Sequence, residues 1–414
     1  MNAPDRLCRS CSAPGLELFL SLGSMPLANS LLAPEDLGAP EPVFPLELTH
    51  CAACSLVQIL ETIPPDALFH EYLYFSSFAD TVVEHARELA TRLIPERRLA
   101  ENSLVVEIAS NDGYLLQFFQ AARVPVLGIE PARNIAKAAV ERGIPTLSEF
   151  FGEALALELT AKGTRADVII GNNVLAHVPD MNGFARGVAL LLKDDGVALF
   201  EVPYVKDMID RCEFDTIYHE HLSYYSLTAV KNLFERHGLS VVGAERTAIH
   251  GGSLRISIAK NGRAAREVDA LLEEEAGWRV GRIDAYRAFA GQVDELKTAL
   301  RSLLAELKQQ RKRIAGYGAA AKGTVLLNYC GIGADTIDFI VDRSPHKQGR
   351  YVPGVRLPIF PVERLLADRP DYVLLLAWNF ATEIARQQSA YLQGGGRFIV
   401  PVPEPRILQP VEAR

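Results

Sequence analysis

Between Asp215 and Tyr225 the chain sets two histidines, a glutamate and three tyrosines into eleven residues: Asp215-Thr-Ile-Tyr218-His219-Glu220-His221-Leu-Ser223-Tyr224-Tyr225. Such a cluster offers bases and hydrogen-bond donors able to take a proton from a carbon beside a ketone and stabilise the enolate left behind. Two other readings stay open on these residues alone. One is a second metal site, since His219 and His221 would share a face of an extended strand; the other is a polar loop holding satisfied core histidines.

A different chemistry gathers near the N-terminus. Cys8-x-x-Cys11 and Cys51-x-x-Cys54 form two knuckles about 40 residues apart, and each can place two sulfurs about 2.3 Å from one tetrahedral zinc. Four sulfur ligands leave no open position, so the expected zinc is structural and supplies folding free energy to a module with a thin core. The alternatives are two disulfides or four unrelated thiols. Six cysteines in 414 residues are too few for a disulfide framework, and Cys212 and Cys330, each isolated, read as packing residues.

A third constellation is Glu107-Ile-Ala109-Ser-Asn111-Asp-Gly113, an apolar run ending in a tight turn of small residues before a helix that begins near Tyr114. Backbone can approach a nucleotide closely there. Glu130 ends the next apolar run and is suited to accept hydrogen bonds from both ribose hydroxyls of an adenosine. The turn lacks the Gly-x-Gly-x-x-Gly spacing that seats a pyrophosphate, which favours S-adenosylmethionine over a dinucleotide. Asn172 and Asn173 belong to a further polar stretch, ending Ala176-His177-Val178, where turn formation competes with ligand contact.

The elements needed to hold these groups are legible as alternating runs. Residues 104–108, 126–130, 166–170 and 197–201 are short, continuous and apolar, as strands buried on both faces are, and predict a doubly wound parallel sheet. Val82, Ala86, Leu89 and Ala90 share one face of a preceding helix, and Leu296, Leu300, Leu303, Leu304 and Leu307 share one face of a long connecting helix. Strand-like runs at 313–318, 337–342, 372–376 and 397–400 predict a second, smaller sheet of the same kind. The expected division is therefore a zinc-binding module over 1–68, an α/β domain over 69–262, a helical connector over 263–312 and a nucleotide-fold-like domain over 313–414.

Composition narrows the partners. With 49% hydrophobic and 23% charged residues the chain can bury a large core, and a net charge of −8 with scattered Lys and Arg gives no footprint for nucleic acid or an anionic membrane. The first residues lack the apolar core of a secretory signal, and no run of about 18 apolar residues follows. The expected location is the cytoplasm and the expected state a monomer.

Taken together these residues resemble the nucleotide-sugar C-methyltransferases of deoxysugar biosynthesis, typified by the sugar 3-C-methyltransferases. The likeness runs over essentially the whole chain: the paired Cys-x-x-Cys, Glu107-x-Ala-Ser-Asn111-Asp-Gly113, Asn173-Val-Leu-Ala-His177-Val, Tyr218-His-Glu-His221, His250-Gly-Gly-Ser253-x-Arg255, and Gly316-Tyr-Gly318-Ala-Ala-Ala-Lys322-Gly323 with Asn328-Tyr-Cys. The resemblance implies a zinc module, a central Rossmann-like class I methyltransferase domain and a smaller C-terminal Rossmann-like domain that helps hold a sugar nucleotide. It also implies a 4-keto-6-deoxy sugar on a nucleoside diphosphate, usually dTDP, as substrate. His221 would then be the base, with Tyr72, His177, Tyr218 and Glu220 around the sugar. We expect Glu220 to orient His221, with Tyr218 its rival for proton transfer, and Tyr224, His250, Ser253, Arg255 and Lys322 to line the substrate. Ala109 stands where methyltransferases at large carry Gly, a departure of modest expected effect. Gly316-x-Gly318-x-x-Ala321 with Asp342 also looks like a dinucleotide fingerprint, so an NAD-dependent sugar-nucleotide oxidoreductase or epimerase is the rival class, and a related methyltransferase with another acceptor is a further one.

Overall fold

The computed structural model describes residues 6–64, 75–247, 249 and 252–408. The strands follow in chain order: β1 (Glu17–Met25), β2 (Phe44–His50), β3 (Val57–Ile59), β4 (Val105–Ile108), β5 (Val126–Ile129), β6 (Thr146–Leu147), β7 (Ala166–Asn172), β8 (Leu192–Pro203), β9 (Ser223–Tyr224), β10 (Ser240–Thr247) and β11 (Ser253–Ala259). The C-terminal part adds β12 (Ile314–Tyr317), β13 (Ile340–Val341), β14 (Ile359–Phe360), β15 (Tyr372–Leu375), β16 (Arg397–Val400) and β17 (Arg406–Ile407). No helix among the described residues is long and apolar enough to cross a membrane.

The chain divides into two compact units that do not follow its linear order. The first takes the N-terminal residues through Glu17, then Thr49–Val205 and Leu222–Ala285. The second takes Leu18–Leu48, Lys206–His221 and the chain from Tyr286 onward.

In the first unit seven strands run in the order β10-β11-β8-β7-β4-β5-β6. Strands β8, β7, β4, β5 and β6 are parallel, and β11 and β10 extend the β8 edge antiparallel. β4 reads Val-Val-Glu-Ile and is buried at every position, as a strand covered on both faces must be. From β4 the chain steps outward to β5 and β6, then crosses back to β7 on the other side of β4, and the crevice at such a switch point is where open α/β sheets bind ligands. The helix Asp80–Glu96 buries Val82, Ala86, Leu89, Ala90 and Leu93, the stripe its spacing predicts. A buried Glu275 satisfies the start of the helix Leu227–Glu235: its carboxylate accepts from the backbone N–H of Leu227 and Thr228 and the Tyr204 hydroxyl.

The second unit holds a sheet in the order β14-β13-β12-β15-β16-β17, parallel except for β17. Long-range pairing builds it: Leu32 bridges Tyr351, and the Thr324 hydroxyl donates to the Ala28 carbonyl at 3.0 Å. The helix Asp284–Gln309 buries Leu296, Leu300, Leu304 and Leu307, while Leu303 is only half-buried.

Candidate active site

After β4 the chain turns through Ala109, Asn111 and Gly113, all with positive φ (54°, 49° and 78°). A Cβ on Gly113 would stand 2.8 Å from Ile144 Cγ1, so glycine is required there. Ala109 and Asn111 hold left-handed backbone at a cost of about 1 kcal/mol each. Hydrogen bonds fix the turn: the Asn111 N–H donates to Glu130 Oε2 at 3.0 Å, and Asn111 Oδ1 accepts from the N–H of Ser76 at 2.9 Å and of Asp112 at 3.0 Å. Glu130 Oε1 accepts from the Ala132 N–H at 2.9 Å, and each of its oxygens keeps a second lone pair.

This end of the sheet is crowded with buried acceptors. Glu107 Oε2, Asp112 Oδ1 and Asn172 Oδ1 have no hydrogen-bond partner among the described residues, nor does the Ser110 hydroxyl. Burial, with the neighbouring Glu130 and Asp112, pushes the Glu107 carboxyl well above the usual carboxylate range. Burial raises Glu130 to about 7 against the N–H groups of Ala132 and Asn111 that favour its charged form. Asn173, at the end of β7, is left-handed (φ 56°) and donates its N–H to the Glu201 carbonyl at 2.8 Å. His177 closes the short turn Leu175–His177 at the same carboxyl end. A ligand bringing several donors suits such a place.

The second unit holds the Tyr-His-Glu-His cluster. A 3-10 turn, Phe214–Thr216, closes with the Thr216 N–H and hydroxyl both on the Glu213 carbonyl at 3.1 and 2.7 Å. The Thr216 carbonyl lies 2.9 Å from His221 Nδ1. A carbonyl only accepts, so in the neutral ring Nδ1 carries the proton and Nε2 the lone pair. The Tyr218 hydroxyl meets that Nε2 at 2.7 Å. The orienting acceptor on Nδ1 is therefore a backbone carbonyl where sequence suggested Glu220, whose carboxylate instead accepts the Asn29 amide at 2.7 Å. His219 Nε2 donates to the carbonyls of Phe44 and Pro45 at 3.2 and 3.3 Å. With both imidazoles on protein partners the second-metal reading fails, and among the described residues only the four cysteines form a cluster able to hold a metal.

The remaining residues of sequence interest scatter. Tyr72 and His250 lie outside the described residues. Tyr224 is buried in β9 opposite Val57, and the Ser253 hydroxyl donates to the Ile249 carbonyl at 3.2 Å. Arg255 enters a buried ion pair: its guanidinium lies 2.5 Å from the Glu201 carboxylate and 2.9 Å from His85 Nε2, with Glu245 at 3.4 Å. Burial alone would raise the Glu201 carboxyl, but His85 and Arg255 more than offset it and hold it below its ordinary value. Lys322 Nζ sits 4.4 Å above the Trp378 ring in the second unit. Asn29, Thr216 and Trp378 were missed from sequence, and no local motif marks them.

Cys8, Cys11, Cys51 and Cys54 bring their sulfurs within 4.8 Å of one another, with Cys8 and Cys54 at 3.5 Å and Cys11 and Cys51 at 3.6 Å. A tetrahedron with metal–sulfur bonds of about 2.3 Å has edges of about 3.8 Å, so the four residues fit one zinc.

Residues 8–69 match a family described as a zinc binding domain, 82–244 a methyltransferase domain and 248–403 a C-methyltransferase C-terminal domain. The C-methyltransferase NovU of Streptomyces niveus is 38% identical over 404 residues, covering 97% of this chain and 96% of that one. A ubiquinone biosynthesis O-methyltransferase of Bartonella quintana (strain Toulouse) is 31% identical over 98 residues, 23% of this chain and 40% of that one. Among solved structures, the glycopeptide N-methyltransferase MtfA in complex with S-adenosyl-L-methionine is 14% identical, covering 46% of this chain and 96% of that one at a TM-score of 0.34, too low to bear on the site.

Proposed function

The chain belongs to the C-methyltransferase family, and on that premise we propose that it moves a methyl group from S-adenosylmethionine to the carbon beside the ketone of a 4-keto-6-deoxy sugar carried on a nucleoside diphosphate, dTDP foremost. We assign it to the cytoplasm as a monomer. The observation that carries the reading is the His221 tautomer: a Thr216 carbonyl on Nδ1 leaves Nε2 with its lone pair, next to a tyrosine hydroxyl.

In this scheme His221 Nε2 removes the proton from the carbon beside the ketone, and the electrons of that C–H bond pass into the enolate. Tyr218, which donates to Nε2 at rest, turns its O–H to the developing enolate oxygen. The proton stays on the imidazolium until solvent takes it. S-adenosylmethionine, when bound, supplies an electrophilic methyl on a sulfonium, and the new C–C bond forms as the S–C bond breaks.

Glu107, Asp112, Asn172 and Glu130 are the groups we assign to the donor. The unpartnered buried oxygens of Glu107, Asp112 and Asn172 and the second lone pairs of Glu130 suit the ammonium and ribose hydroxyls of that molecule, and Ala109, Asn111, Gly113 and Asn173 shape the backbone around it. His177, Tyr72 and Glu220 are assigned to the sugar. Arg255 and Ser253 act from the core, since their polar groups are engaged there.

Methyl-labelled S-adenosylmethionine with a panel of nucleotide keto sugars, dTDP-4-keto-6-deoxyglucose among them, tests the reaction: product mass should rise by one methyl bound to carbon, and solvent deuterium should enter at the carbon beside the ketone. Replacing His221 by Asn should lower turnover by at least about 1,000-fold while S-adenosylhomocysteine affinity stays within about twofold. Full activity in that variant would remove His221 from the mechanism.

A further inference from the structure

The glycine turn after β12 and the unused carboxylate of Asp215 are the two features of the second unit that the reaction leaves over, and they meet at Trp378. Asp215 is fully buried in the 3-10 turn that orients His221. Its Oδ2 accepts the Trp378 indole N–H at 2.6 Å. Trp378 opens the turn directly beyond β15, and Lys322 covers its ring. The same 3-10 turn packs on the helix Ala321–Cys330, with the Phe214 ring 5.3 Å from that of Tyr329.

The glycine turn belongs to this arrangement. Gly318 has φ +92°, and a Cβ there would stand 2.8 Å from Ala377 Cβ, the residue before Trp378. A Cβ on Gly323 would meet Leu376 Cβ at 2.7 Å. Asp342, which a dinucleotide would need for its ribose, accepts the N–H of Ala319 at 2.7 Å and of Ser344 at 2.8 Å. The glycines therefore let the Leu376-Ala377-Trp378 segment approach the start of the helix, and Asp342 ties the glycine turn to the loop that follows β13.

We propose that the C-terminal sheet is a positioning frame for the base: Trp378, through Asp215, fixes the turn whose Thr216 carbonyl sets the tautomer of His221. Trp378 and Asp215 are positioning residues. Without the indole N–H the buried Asp215 carboxylate keeps only its own backbone N–H and the Lys322 charge, the turn shifts to replace the lost donor, and the carbonyl leaves the line of Nδ1. Burial lifts the Asp215 carboxyl to about 6, offset by the Lys322 charge and the Trp378 hydrogen bond, so its ionised form depends on these two neighbours. The catalytic consequence rests on the reading of His221 as the base; the geometric part does not.

The test uses full-length protein with ¹⁵N-labelled histidine, the His221 signals being identified by their loss in His221→Asn. In the wild type Nδ1 should resonate as protonated and Nε2 as unprotonated. Trp378→Phe should give averaged signals of mixed tautomers, with kcat about tenfold lower, and with KM and S-adenosylhomocysteine affinity within about twofold. Asp215→Asn retains an oxygen for the indole N–H and should keep the wild-type His221 signals, whereas Asp215→Leu should lose them. Unchanged His221 signals in both Trp378→Phe and Asp215→Leu would overturn the frame. If the signals change while kcat does not, the positioning role is wrong. A fully active His221→Asn protein sinks the base assignment instead, and leaves the tautomer result standing as a structural fact.

Discussion

Glu130 carries a pH signature that binding can report. Burial raises its carboxyl from 4.5 to about 7, so between those values the folded protein keeps a proton that the unfolded chain has lost. The stability linked to that proton is present in full below pH 4.5 and disappears as pH rises through about 7. A ligand whose ribose hydroxyls call for an ionised carboxylate works the other way: below pH 7 binding must expel the proton, and above it there is none to expel. S-adenosylhomocysteine affinity measured by calorimetry should therefore rise about tenfold from pH 6 to pH 8 and then level off, with proton release at the acid end. A flat profile would detach Glu130 from the donor site. The zinc-binding cysteines were legible in sequence at this scale, and the histidines and tyrosines stood out there as well, because such clusters are local signals. The partner of each was not. His221 answers to a backbone carbonyl, and Glu220 to an asparagine 191 positions away.

Arg255 shows the same limit among the elements. In sequence it stands in a polar stretch after two glycines and reads as a substrate contact, yet it lies on β11 across from Glu201 on β8, and His85 reaches both from the helix Asp80–Glu96. The pair spans 54 residues and the histidine contact 170, distances over which periodicity says nothing. Short strands that are mostly apolar were found within a residue or two, as at 105–108 and 397–400, because burial leaves a nearly continuous apolar mark. β8 was underestimated, since its buried first residue Leu192 is followed by the polar Lys-Asp-Asp, a start held by pairing of Leu192 with Ala166 and by the Lys193–Asp167 bridge. Deleting the guanidinium with Arg255→Ala strands Glu201 as a buried charge, which should cost about 3 to 5 kcal/mol in urea melts. Arg255→Met with Glu201→Gln should recover part of that loss. If Arg255→Ala instead unfolds like the wild type but loses affinity for the sugar nucleotide, the side chain contacts substrate after all.

At the scale of the whole molecule, contiguous segments suggested one domain over 69–262 and another over 313–414; the two compact units are each assembled from three separate stretches of chain, and the stretch bearing His221 belongs with the C-terminal sheet. The zinc cluster spans a similar interruption, its two knuckles flanking Leu18–Leu48 of the other unit. Metal analysis should find one zinc per chain. Stripping it with a chelator in mild denaturant should lower the melting temperature, and Cys51→Ser should reduce both zinc content and soluble yield; a zinc-free protein with an unchanged melt would leave the sulfurs without a structural role. The bridge between Leu32 and Tyr351 has a consequence in time as well as in space. A ribosome adding 5 to 20 residues per second brings Tyr351 out about 15 to 65 s after Leu32. Through that interval the apolar residues Phe19, Leu20, Leu22 and Met25, buried in the finished protein, have β2 to pair with but wait for the later chain of their unit, such as Tyr286 against Phe19, to cover them. The first fifty residues of the nascent chain are thus the stretch in which a holding chaperone would matter most.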